Sequence, residues 1–261
     1  MNPCLKRWVR RALPRTGGAH RVLFGHVKGT IIYTSWHDYP GAILGTTERP
    51  LLRWFDDNVN PGETWLDVGA HYGYTALALS RLVGPSGRVY AFEPVVSTAG
   101  CLARTRDLNR LDQLTIVPLA LDHQPGPHLL RVPATRGMAD STLRGAHHPG
   151  PEETIFATSL DQLWPSLAGA DQPIHGIKID VQAMEAQVIA GMRQCLLRFA
   201  PRLVIEFHGG VDRGQMLDLL AAAGYSKEFA AVNPRAAGAT LSDDVSYVFS
   251  PEARCESSYT R

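Results

Sequence analysis

From Trp65 onward the chain repeats one cadence: a short apolar run, a turn, then a stretch whose apolar residues recur every three or four positions. Short apolar runs bounded by turn residues read as buried strands, and the 3.6-residue period reads as a helix. Trp65–Val68, Arg88–Phe92, Leu114–Leu121, Ile174–Val181 and Arg202–Phe207 are the expected strands, with Ser246–Ser250 as a last one. Tyr74–Leu82, Val96–Asn109, Ala183–Phe199 and Gln215–Ala223 are the expected helices between them. Upstream, Val22–Tyr33 has β-rich ends around Gly29 and predicts a hairpin or two short strands, and Thr47–Asn58 predicts a helix with Pro50 in its first turn. Regular alternation of strand and helix implies parallel βαβ units in a doubly wound, mostly parallel sheet, an α/β fold. Ligands of such sheets bind beyond the carboxyl ends of the strands. That singles out Asp67–Gly73, Glu93, Ala120–Asp122, Asp180 and Glu206–His208, each where a strand runs out.

Two stretches fall outside the cadence. Residues 122–173 carry prolines at 125, 127, 133, 149, 151, 165 and 173 and three short β-like runs, His128–Val132, Ser141–Arg144 and Thr154–Ala157. A β-rich insertion between the third and fourth core strands, at the ligand end of the sheet, is expected to cover the substrate. In residues 1–21, Leu5, Trp8, Val9, Ala12 and Leu13 form an apolar stripe opposite Lys6, Arg7, Arg10 and Arg11. Such a basic amphipathic helix suits docking on its own domain, lying on an anionic membrane, or a transit peptide. The expected division is an N-terminal extension over 1–44, a basic helix and short β-hairpin, and a catalytic domain over 45–261.

Composition narrows the function classes. A net charge of +1 lacks the basic footprint of a nucleic-acid protein. The four cysteines, Cys4, Cys101, Cys195 and Cys255, are widely spaced, which argues for reduced thiols in a cytoplasmic protein rather than a disulfide framework or zinc site. No apolar run is long enough for a membrane span. Small molecules are the expected partners, and a homodimer is a compatible assembly.

The chemistry lies in the stretch TWLDVGAHYGYTALALSRLVGPSGRVYAF and the Glu93 that follows it. A dinucleotide loop needs G-x-G-x-x-G so that pyrophosphate can sit on the helix N-terminus. Asp67-x-Gly69-x-x-x-Gly73 lacks the middle glycine and adds a carboxylate where a phosphate would be repelled, which excludes a nicotinamide dehydrogenase. The ligand is then a nucleoside carrying a cation, and S-adenosylmethionine fits. Glu93, ending the second strand, suits hydrogen bonds from both ribose hydroxyls.

WLDVGAHYGYTALALS, VYAFEP, a strand ending PLAL, TSLDQL, GIKIDVQAMEAQVIAGM and PRLVIEFH, in that order, resemble the successive motifs of the FkbM family. Gly45-Thr-Thr-Glu48 resembles its upstream Gly-x-x-Glu segment, so the likeness spans about residues 45–208. The resemblance implies a Rossmann-like class I methyltransferase fold and an S-adenosylmethionine-dependent O-methyltransferase acting on hydroxyls of secondary metabolites or sugars. It places Asp67, Gly69 and Gly73 around the methionine part of the cofactor and Glu93 at the ribose, with Ala70 and His71 of the same loop also binding the cofactor. Ala120 and Leu121 border the adenine, with Asp122 as an available acid. The family reads K-I-D-V-E-G-x-E where this chain has Lys178-Ile-Asp180-Val-Gln182-Ala183-Met-Glu185. Ala183 is expected to avoid the positive φ that glycine reaches easily, which predicts a shifted rim or weaker catalysis. The alternative function is a catalytically silent binding or scaffold module in a biosynthetic complex.

A hydroxyl acceptor must lose its proton to a base within hydrogen-bond reach. Asp180, Glu206 and His208 are the catalytic candidates, and His208 titrates nearest neutrality. The same three could instead hold Mg²⁺ or Mn²⁺, or His208 could merely cap its strand. Lys178, inside a buried strand, is expected to pair with a carboxylate. Paired histidines His147 and His148 and the core-facing Cys195 are weaker candidates.

Overall fold

A computed structural model of the chain describes residues 13–132, 152–236 and 240–252. The apolar stripe of the basic N-terminal helix up to Ala12, together with Ser141–Arg144, His147, His148, Cys4 and Cys255, lies outside the described residues. β1 (Gly18–Arg21) and β2 (Ile31–Thr34) form an antiparallel hairpin in register Gly18↔Thr34. The first strand precedes Val22 because Val22–Thr30 closes as the loop, with Gly25 and Gly29 at φ 78° and 87°. Short α1 (Pro40–Leu44) and α2 (Arg49–Asn58) lead into the alternating body.

That body runs β3 (Thr64–Val68), α3 (Tyr74–Val83), β4 (Arg88–Phe92), α4 (Val96–Asn109) and β5 (Leu114–Val117). An excursion follows: β6 (Ala120–Leu121), β7 (Gly126–Arg131), β8 (Glu152–Thr158) and α5 (Leu160–Leu167). The chain then returns through β9 (Gly176–Ile179), α6 (Glu185–Ala190), α7 (Arg193–Phe199), β10 (Arg202–Phe207), α8 (Arg213–Ala222), β11 (Ala230–Ala231) and β12 (Val245–Phe249). The main sheet has the order β11-β12-β10-β9-β3-β4-β5. The pairs from β10 to β5 are parallel, and β12 pairs antiparallel with both β10 and β11. This is the expected doubly wound, mostly parallel α/β sheet.

Strand residues alternate between two cores. Trp65, Val89, Ala91 and Leu114 join Phe55, Leu77, Leu79 and Leu102 under α2, α3 and α4. Leu66, Phe92, Ile177, Ile179 and Ile205 join Trp164, Val188, Leu196 and Met216 under α5 to α8. Every residue of β3 is buried, as expected of a strand covered on both faces. The hairpin shares the first core through Val22, Val27 and Ile32. It is tied to α4, where the Ile31 N–H donates to Asn109 Oδ1 at 2.9 Å and the Tyr33 N–H to Thr105 Oγ1 at 3.0 Å.

Three details differ from the sequence reading. Leu114–Leu121 is not one strand: Pro118, which has no N–H for a ladder, ends β5, and Ala120–Leu121 joins β7 and β8 in a separate sheet. The expected helix over Ala183–Phe199 breaks at Gly191. A Cβ there would lie 2.7 Å from the Asp122 carbonyl oxygen, and the Asp161 carboxylate accepts from the N–H groups of Gln194 and Cys195, restarting the helix as α7. The excursion also holds a helix, α5, whose start is capped by Ser159 accepting from the Gln162 N–H.

Candidate active site

A cavity of about 280 Å³ opens at the carboxyl ends of β3, β4, β9 and β10. Its floor is Val68–His71, Phe92–Val95 and Leu119–Leu121; Tyr39, Thr47 and Glu48 close one side, and Leu130, Val132 and Ile155 of the small sheet cover another. Lys178, Asp180, Gln182 and Glu206 form the polar end.

The glycines of the first loop serve close packing. Gly69 sits at φ 79°, and a Cβ there would lie 1.9 Å from the Asp180 carbonyl oxygen. Gly73, at φ 88°, starts α3, and a Cβ would lie 2.1 Å from Leu102 Cδ1. Gly69, Ala70 and His71 line the cavity, whereas Gly73 and Asp67 are not part of its wall. Asp67 is fully buried: its Oδ2 accepts from the Thr75 hydroxyl at 2.6 Å and its Oδ1 lies 3.2 Å from Lys178 Nζ. Lys178 also donates to the Gly69 carbonyl at 3.2 Å and lies 3.4 Å from Asp180 Oδ2. The expected pairing of Lys178 is therefore double. Burial alone would discharge its ammonium, but Asp67, Asp180 and Glu48 outweigh burial and raise its pKa.

Glu93 binds the loop to the next helix. Its Oε2 accepts from the His71 N–H at 2.9 Å and its Oε1 from the Val95 N–H at 3.0 Å. Burial is the main cause that pushes its carboxyl up to about 7, against those two hydrogen bonds. Glu48 is raised by burial and then by Asp180, and Glu206 is raised to about 7 by burial, Asp180 and Glu48. Among the described residues the wall thus carries Glu48, Glu93, Asp180 and Glu206 against the single cation Lys178. A carboxyl raised on folding stabilises the fold below its unfolded pKa and loses that contribution as pH rises through the folded value. Stability is therefore expected to fall between about pH 5 and about pH 8. Glu93→Gln should remove about 1–3 kcal/mol of that fall, read from urea midpoints at the two ends. An unchanged slope would show that Glu93 is ionised throughout.

At the rim, His208 Nδ1 lies 2.7 Å from Glu185 Oε1, a carboxylate with no exposed surface. Its Nε2 faces Asp180 Oδ1 at 3.5 Å, Glu206 Oε1 at 3.8 Å and the Gln182 amide at 3.0 Å. Burial opposes the imidazolium, yet the Glu185 hydrogen bond and the charges of Asp180, Glu185 and Glu206 raise its pKa overall. Ala183 does not avoid the left-handed region: Gln182 and Ala183 have φ 54° and 69°. Ala183 thus takes the positive φ it was expected to avoid. The Ala183 N–H donates to Glu185 Oε1 at 3.2 Å and the Gln182 amide lies against His208, so the surroundings hold alanine in a glycine conformation. Ala183→Gly should raise stability by about 0.5–1 kcal/mol, seen as a higher urea midpoint with an unchanged slope. A lower midpoint would show the conformation unstrained.

The structure thus brings Asp180, Glu206 and His208 together and places Gly69, Ala70, His71, Glu93, Ala120 and Leu121 on one cavity. Asp122 is turned away, its Oδ1 accepting from the Gln124 N–H at 3.0 Å and lying 2.8 Å from His123 Nδ1. Tyr39, Thr47 and Gln182 join the wall without having been site candidates, as does Glu48, whose signal was the Gly45-x-x-Glu48 spacing.

Residues 67–227, more than half of the chain, match the family described as the methyltransferase FkbM domain. Among curated proteins there is no significant match. Solved structures give remote likenesses. A protein titled putative rRNA-methylase from Clostridium thermocellum is 15% identical with TM-score 0.48, covering 77% of this chain and 92% of that one. Methyltransferase FkbM from Methylobacillus flagellatus is 16% identical with TM-score 0.46, over 78% of this chain and 51% of that one, so the chain spans about half its length. Aeropyrum pernix fibrillarin, with natively bound S-adenosyl-L-methionine, is 16% identical with TM-score 0.45, over 90% and 82%.

Proposed function

The chain belongs to the FkbM methyltransferase family, and from that premise we propose that it is an S-adenosylmethionine-dependent O-methyltransferase acting on a hydroxyl of a small metabolite or sugar. The observation that carries this reading is the wall of four carboxylates against one lysine, built on a glycine loop. Such a wall suits a ligand that is a nucleoside and a cation at once. Among the described residues no helix is long and apolar enough to cross a membrane, and the net charge of +1 favours a small acceptor over a nucleic acid.

S-adenosylmethionine, when bound, supplies an electrophilic methyl on a cationic sulfur. The chain's own residues orient and ionise. Each Glu93 oxygen accepts one backbone N–H and keeps a lone pair for a ribose hydroxyl. Gly69, Ala70 and His71 bring backbone against the cofactor, Ala120 and Leu121 border the base, and Asp67 acts at one remove by fixing Lys178. Leu130, Val132 and Ile155 keep water from the acceptor. Asp180, Glu206 and His208 are the groups that would take the proton of the acceptor hydroxyl, leaving its oxygen free to accept the methyl that the cofactor would supply.

The test is calorimetric titration of S-adenosylmethionine into wild type and Glu93→Ala. Binding should weaken at least about tenfold, or about 1.4 kcal/mol, in the variant. Equal affinity in both proteins would remove Glu93 from the cofactor site, and no binding to wild type would sink the methyltransferase reading.

A further inference from the structure

We infer that Asp180 Oδ1, Glu206 Oε1 and His208 Nε2 form a binding site for a hard divalent cation of the Mg²⁺ or Mn²⁺ class. Their ligand atoms lie within 4.8 Å of one another. Each residue has its second atom engaged elsewhere. Asp180 Oδ2 faces Lys178 Nζ at 3.4 Å, Glu206 Oε2 accepts from the Ser246 hydroxyl at 3.0 Å, and His208 Nδ1 is held by Glu185 at 2.7 Å. The three remaining atoms converge. Asp180 Oδ1 is buried and has no hydrogen-bond partner among the described residues. With Nδ1–H directed at Glu185, the neutral ring carries its lone pair on Nε2, which the Gln182 amide nitrogen meets at 3.0 Å and two carboxylate oxygens face at 3.5 and 3.8 Å. Such a cluster calls for positive charge among its atoms: a proton on Nε2 answers one atom, whereas a bound cation answers all three. A cation with metal–ligand bonds of about 2.0–2.2 Å spans such gaps at open coordination angles.

The surroundings fit the same reading. A metal-bound histidine usually donates its other N–H to a carboxylate, which fixes the tautomer and strengthens the ligand; Glu185 stands there, fully buried. Gln182, whose amide lies 3.0 Å from Nε2, offers a carbonyl oxygen as a further neutral donor when its amide is turned over. Two carboxylates, one imidazole and an amide suit a hard divalent ion with water completing its shell. The site borders the cavity on which Asp180 and Glu206 open. On the methyl-transfer reading, with the cation bound the three side chains act as its ligands instead of taking the proton themselves: an acceptor hydroxyl replacing one of those waters would have its pKa lowered, and its proton would leave to solvent. The site itself stands on geometry alone.

The experiment is titration of Mn²⁺ into the full chain, with free ion counted by electron paramagnetic resonance, and calorimetry of S-adenosylhomocysteine on the same preparation. Wild type should take up about one Mn²⁺ per chain, displaceable by Mg²⁺, and Glu206→Gln and His208→Ala should each weaken it at least about tenfold. Glu206→Gln keeps size and the Ser246 partner, so it reads the site even where His208→Ala folds poorly. Absence of Mn²⁺ uptake, or uptake unchanged in Glu206→Gln, overturns the site. S-adenosylhomocysteine binding without Mn²⁺ leaves the methyltransferase reading standing alone; Mn²⁺ binding without S-adenosylhomocysteine leaves the cation site and removes the cofactor.

Discussion

Lys178→Ala is expected to cost about 3–5 kcal/mol of folding stability, because it leaves a buried carboxylate uncompensated. Asp67 has no exposed surface, and Lys178 is the cation facing it, at 3.2 Å. The same ammonium holds the Gly69 carbonyl and Asp180, so its loss also frees the loop that forms the cavity floor. Urea unfolding measures the loss. The double variant Asp67→Asn/Lys178→Met, which removes both charges and keeps an apolar stem, should recover most of it. A loss below about 1 kcal/mol in Lys178→Ala would show that the Asp67–Lys178 pair does not hold this part of the fold.

His208→Ala is expected to lower the rate of methyl transfer by about 10²–10⁴-fold while leaving cofactor affinity within about threefold. His208 lies outside the cavity wall formed by the loop at 69–71 and Glu93, so on the proposed reading it acts on the hydroxyl and not on the nucleoside. Glu185→Gln should lose only about tenfold, since an amide oxygen still accepts from Nδ1–H while its negative charge is gone. The measurement is single-turnover transfer to an acceptor found in a panel of hydroxylated metabolites and sugars. A His208→Ala rate within about threefold of wild type would make the histidine a structural cap.

The alternation after Trp65 carried the fold, since five parallel strands and their helices are each a run of one period. The errors fall where a single residue overrides the pattern. Pro118 diverts an apolar run into another sheet, and Gly191 interrupts a helix so that the Asp122 backbone can pass. Neither event changes apolar periodicity, which is why neither was visible in it. The site was legible where a strand end marks it: Glu93, Asp180, Glu206 and His208 all lie at carboxyl ends. What the sequence withheld was division of labour. Asp67 and Gly73 are part of the loop motif, but one neutralises a lysine and the other makes room for Leu102, and only distances distinguish such roles from ligand contact. Ala183 in a left-handed conformation contradicts its own preference, because its neighbours Glu185 and His208 hold the turn.

The pairing of β3 with β9, Trp65 opposite Gly176, joins segments more than a hundred positions apart at the middle of the sheet. A chain emerging from the ribosome cannot complete that ladder until β9 has been made, so the central sheet closes late and folding is expected to be slow for the protein's size. The same topology makes the intervening excursion cheap to vary. Loop-closure entropy grows only with the logarithm of length, about 0.6 kcal/mol per doubling. The small sheet over the cavity can therefore be lengthened or exchanged during divergence at little thermodynamic cost, which on the proposed reading lets acceptor preference change while the carboxylate wall stays as it is.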